Sequence, residues 1–111
     1  MTQSLERTLR RIALGDQTVL RDATTPAPDS PTGEMDDRIL ASARLGALLA
    51  IESPVPVLQQ GVSDALFAGI SRDQIAAILV EIVPTIGLAR AAIMAPRLGL
   101  ANGYDVEAGL E

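Results

Sequence analysis

Between Ser71 and Gly87, aliphatic side chains return with the period of an α-helix. Ile75, Ile78, Leu79, Ile82, Val83 and Ile86 fall on one stripe. Such a stripe has to be covered, and no stretch of the chain alternates in the manner of a strand, so the covering elements are expected to be helices as well. Composition narrows what lies between them. Hydrophobic residues make up 48% of the chain, yet Phe67 and Tyr104 are its only aromatic residues. The core is therefore expected to be aliphatic, built from Leu, Ile, Val and Ala on closely packed helices. With 111 residues the chain suits one domain, which at this size buries about two-thirds of the surface exposed when unfolded. The fold class that follows is all-α, a compact bundle of about five to six helices.

Start and stop signals divide the chain. Leu5, Thr8, Leu9, Ile12 and Ala13 recur at helical spacing, Gly15 is a stop, and Asp16 can cap a short second turn carrying Val19 and Leu20. Residues 1–22 thus read as a helical arm. Residues 23–34, with Pro26, Pro28 and Pro31, read as a linker. The main body, residues 35–111, opens with Asp36 or Asp37 capping a helix to about Ile51. Its Leu45–Ile51 segment has no polar side chain, a pattern normally buried on all sides in a core or against another subunit. Pro54 and Pro56 begin the next helix, Gly69 ends it, and its apolar face is Leu58, Val62, Ala65 and Leu66. Ser71 and Gln74 form a capping box. Pro84 is expected to kink the striped helix near its end. After Gly87 a last long helix starts near Leu88, interrupted by Pro96 and stopped by Asn102 and Gly103, with Asp105 capping a short tail.

The chain has no Cys and no His, and all nine basic residues are Arg. Disulfides, thiolate ligands and thiol redox chemistry are thereby excluded, as are imidazole acid–base catalysis and Schiff-base chemistry on Lys. A net charge of −5 argues against nucleic acid as a partner. Arg7, Arg10 and Arg11 form the only basic cluster, best read as a solvated helix face. No uncharged run reaches the ~18 residues of a membrane span, and Met1 to Arg11 holds no apolar stretch of signal-peptide length, so no membrane partner and a cytoplasmic location are expected.

From Asp36 to about Leu100 the chain resembles the carboxymuconolactone decarboxylase and alkyl hydroperoxidase D-like family. The resemblance is carried by Asp37 and Arg38 leading into an Ala/Leu-rich helix, then Ala65, Leu66 and Gly69. Ile70, the capping box, the Ile75, Ile78, Leu79 pattern, Gly87 and an Ala-rich helix follow in the family's order. It implies the family's helical fold and a homo-oligomer, a trimer or a multiple of one. Peroxidatic members of the family carry a Cys-x-x-Cys pair, a following His and an assisting Glu. Their positions fall here on Pro54, Val57, Gly61 and, nearby, Ser42, so none is retained. Decarboxylase-type members also place a His where Gly61 stands. A peroxidatic step needs a thiolate to become a sulfenic acid, which Met1, Met35 and Met94 cannot do.

The remaining candidates are a carboxylate and two guanidinium groups. Glu81 is the only charged residue between Asp73 and Arg90 and lies opposite the Ile stripe beside Gln74 and Ala77. Desolvated, it would serve as an acid or base; otherwise it sits on a solvated face or pairs with an Arg. Arg44 and Arg90, set among small apolar residues, would each suit a small carboxylic acid ligand, or an ion pair with Glu81 or Glu52, or a subunit contact. Gly61, Ala65 and Gly69 suit either a small cavity or close helix packing. Asp36 and Asp37 are adjacent, so they point about 100° apart on a helix and serve better as caps than as a paired-carboxylate site. No cofactor and no metal site is expected. Two functional readings follow. One is an oligomeric binding or interaction module without redox chemistry; the other is a small-molecule lyase or decarboxylase using Glu81 with Arg44 or Arg90.

Overall fold

The computed structural model describes residues 3–24, 35–106 and 108. Every regular element among them is a helix, in the order α1 (Gln3–Ala13), α2 (Thr18–Thr24), α3 (Asp37–Ala50), α4 (Val55–Phe67), α5 (Arg72–Ile86) and α6 (Leu88–Ala101). By internal contacts the chain forms two compact units, residues 1–36 and 37–111. Most of the expected proline-rich linker, residues 25–34, lies outside the described residues.

In the first unit α1 ends at Gly15, where φ is +72°. Asp16 then caps α2 as its sequence position suggests, accepting the Thr18 N–H at 2.9 Å and the Thr18 hydroxyl at 2.6 Å. The Arg11 guanidinium closes on the same carboxylate at 3.1 Å and also donates to the Thr18 hydroxyl. These bonds, those from Thr18 first and then Arg11, hold the Asp16 carboxyl down at about 2. The apolar stripe of α1 is not deeply covered: Leu5 and Thr8 are half-buried, and Leu9 and Ile12 are exposed.

The second unit carries the core. Ala41, Leu45 and Leu49 of α3 meet Leu58, Val62 and Ala65 of α4. Ile70, Ile75 and Leu79 follow from the next connection and α5, and Ala91, Met94 and Leu98 from α6. Aromatic rings take no part, since Phe67 and Tyr104 are exposed. Burying one such Leu or Ile contributes about 1.5–3 kcal/mol, so these side chains specify the packing. The predicted α4 face holds, with Leu66 only half-buried. On α5, Ile75 and Leu79 are buried while Ile78, Ile82, Val83 and Ile86 line the edge of the core.

Two expectations need correction. The Leu45–Ile51 segment is not enclosed within the unit: Leu45 and Leu49 are fully buried, but Ala47 is exposed and Ile51 is 73% exposed. Helices α4, α5 and α6 cover the Leu45 and Leu49 side of α3, while Ala43 and Ala47 on another side are exposed. Nor does Pro96 interrupt α6, which runs unbroken to Ala101. The N–H that proline lacks would have bonded the Ala92 carbonyl, and Ala92 is exposed, so water can satisfy that oxygen. Helix α5 likewise continues past Pro84 to Ile86.

Helix ends are closed by local bonds. The capping box forms, with Gln74 N–H donating to Ser71 Oγ at 3.1 Å and Ser71 N–H donating to Gln74 Oε1 at 2.9 Å. Helices α1, α3, α4 and α6 each end in the same left-handed turn, in which the residue after the cap bonds back three residues and the next one bonds back five. Gly15, Gly69 and Gly103 occupy the left-handed position in three of them. The fourth is Glu52 at φ +59°, the one non-glycine residue with positive φ among those described. The expected cap of the tail is also present, Ala108 N–H donating to Asp105 Oδ1 at 3.1 Å.

Candidate functional site

Among the described residues of the second unit, open clefts lie between α3 and α5 and between α3 and α4. The first, of about 410 Å³, lies between α3 and α5 and holds Glu81. Ile70, Ile78 and Ile82 give it an aliphatic floor, and Arg38, Ser42 and Gln74 bring polar groups to its rim. Glu81 stands beside Gln74 and Ala77, as helical geometry requires. Its side chain is exposed and makes no hydrogen bond or ion pair among the described residues. The guanidinium sharing the cleft is that of Arg38, and neither Arg44 nor Arg90 lines it.

The second cleft, about 400 Å³ between α3 and α4, is lined by Arg44 together with Ala47, Leu48, Val57, Gly61 and Asp64. It contains two of the positions that carry reactive groups in the family resembled, Val57 and Gly61. Ser42 lies in the other cleft and Pro54 caps α4. Gly61 is buried because helix packing leaves no room at its Cα. A Cβ there would stand 2.8 Å from Leu48 Cδ1 and 3.3 Å from Leu45 Cδ1. Close packing therefore explains Gly61, while Ala65 is fully buried in the core and Gly69 forms a turn.

Arg90 is engaged elsewhere. Its Nε lies 3.3 Å from Glu52 Oε1, the ion pair anticipated as one of its alternatives. Two arginines that sequence reasoning passed over also cap helix ends. Arg97 donates to the Glu52 carbonyl at 2.9 Å and the Ser53 carbonyl at 3.5 Å, at the end of α3. Arg72 donates to the Asn102 carbonyl at 2.9 Å, and the Asn102 amide donates back to the Arg72 carbonyl at 3.0 Å. These partners are tens of residues apart, so no local signal could have paired them.

Chemically, the first cleft offers a solvated carboxylate over an aliphatic floor, and the second a guanidinium and a carboxylate over small apolar residues. No group of three or more His, Cys, Asp or Glu side chains that could hold a metal converges among the described residues. None of the helices is long and apolar enough to cross a membrane, among the described residues. Comparison of the chain with family models, with characterised proteins and with solved structures gives no match.

Proposed function

We propose that this chain is a non-redox, homo-oligomeric interaction module, a relative of the carboxymuconolactone decarboxylase and alkyl hydroperoxidase D-like proteins that works without their reactive centre. The observation carrying this reading is apolar surface on a unit whose core is already filled. Ile51, Phe67, Val80 and Leu88 stand 73%, 96%, 68% and 75% exposed. In the proposed oligomer such side chains are covered by another copy of the chain. The lack of any thiol or imidazole supports the non-redox part. A cytoplasmic location and a trimer, or a multiple of one, belong to the same reading.

The lyase alternative gains little from the clefts. A carboxylate tuned for proton transfer needs an enclosed site, whereas Glu81 faces solvent and Arg44 and Arg90 are elsewhere. Light scattering of the purified protein at micromolar concentration tests the proposal. A mass at a multiple of 11.6 kDa is expected, with hydroperoxide consumed no faster than in buffer in a thiol-coupled assay. A monomer mass, or sustained peroxide turnover, would refute it.

A further inference from the structure

The cleft between α3 and α4 does not end at Val57. A second depression on the same face shares Ala41, Arg44 and Asp64 with it and extends to Phe67, so the two make one continuous furrow. Phe67, the only phenylalanine of the chain, projects from one end of that furrow and is 96% exposed. Small residues leave this furrow open, with Ala47 of α3 and Gly61 of α4 lining it from opposite helices. Charge on this face is mixed: Arg44 and Asp64 line both depressions, and Asp37 adds a second carboxylate to the one beside Phe67. Arg44 makes no hydrogen bond or ion pair among the described residues. The Asp64 carboxylate accepts from the neutral Gln60 Nε2 at 3.0 Å and has no cation within ion-pair distance among them.

A surface that carries both an apolar knob and a matching furrow, and both signs of charge, is complementary to itself under a twofold rotation. We infer that this face is a twofold contact between two copies of the chain, with Phe67 of each copy seated in the furrow of the other and Arg44 of each paired with Asp64 of the other. The inference rests on the proposed homo-oligomer and names its contact face. In the proposed assembly a twofold contact of this kind joins two trimers, so it selects the multiple over the lone trimer.

Charge exchange tests it. In Arg44→Asp the contact sets two carboxylates against each other, and in Asp64→Arg two guanidinium groups. Each variant alone is expected to show half the wild-type assembly mass in sedimentation velocity. An equimolar mixture sets Asp at 44 against Arg at 64 in one contact and the native Arg44 against Asp64 in the other, and is expected to recover the wild-type mass. Both sites are exposed, so circular dichroism should report unchanged helix content. Should either variant fail to fold, Phe67→Ser serves in its place and is also expected to halve the mass. An assembled wild type whose mass none of these changes alters, or a mixture that stays dissociated, overturns this face and leaves the oligomer standing. A monomeric wild type removes both.

Discussion

Helices α3 and α4 end in turns with the same bonds and different residues. At the end of α4, Gly69 N–H reaches Leu66 O and Ile70 N–H reaches Ala65 O, both at 3.0 Å. At the end of α3, Glu52 N–H reaches Leu49 O at 3.2 Å and Ser53 N–H reaches Leu48 O at 3.1 Å. Glycine enters the left-handed region freely, whereas a side chain there costs about 1–2 kcal/mol. The glutamate turn accepts that strain and gains two tethers to α6: the Arg90 pair on its carboxylate and the Arg97 bond on its carbonyl. The glycine turn has no such tether to α6 among the described residues and relies on Ile70, buried at 6% exposure just after the bend. One bend is fixed by polar bonds to a distant helix and the other by apolar burial.

The sharpest way to break this contrast is to remove the apolar anchor. Ile70→Ala is expected to cost about 2–4 kcal/mol in chemical denaturation, as buried Ile truncations do. Exchanging the turn residues has a smaller effect. Gly69→Glu is expected to cost about 1–2 kcal/mol, since the new side chain meets the backbone penalty at φ +95° and the exposed Arg38 side chain beside it returns little. Glu52→Gly should lie within about 1 kcal/mol of wild type, because relief of strain offsets the loss of an exposed pair and the added freedom of the unfolded chain. A Glu52→Gly variant as damaged as Gly69→Glu would show that the Arg90 pair outweighs the strain.

The smallest effect belongs to the first unit, where the residue following Gly15 is charged. With its carboxyl held near 2, against an ordinary value of 3.8, Asp16 contributes to the α1–α2 turn fully above the ordinary value. The contribution fades as pH falls through the folded one. An NMR titration of the Asp16 carboxyl carbon should place its midpoint near 2 and show the Thr18 amide shifting with it. A midpoint at the ordinary value would mean that these bonds do not persist in solution.

What was legible in the sequence follows the range of the interactions. Ser71 with Gln74, Asp16 as a cap, and Gly15, Gly69 and Gly103 as stops all act within a few residues of themselves, so spacing reveals them. The aliphatic core was legible too, because scarcity of aromatic residues leaves few alternatives. The left-handed Glu52 was not, since nothing local favours glutamate there and its reasons lie on α6. Pro96 misled because a missing N–H matters only if the opposing carbonyl is buried. At the clefts, helical spacing correctly set Glu81 beside Gln74 and Ala77. It could not say that the guanidinium across the cleft would be Arg38, because that depends on how α3 lies against α5.

The reciprocal bonds between Arg72 and Asn102 have a kinetic consequence. Gly87 already joins α5 to α6 at one end of their hairpin, and this latch fastens the other. A hairpin shut at both ends cannot unzip from a loose tip; its two helices have to open together, as one cooperative unit. The latch closes a span of 30 residues, and the ordering entropy of closure grows only slowly with that length. That favours early pairing of α5 with α6 during folding, before α3 is drawn against them.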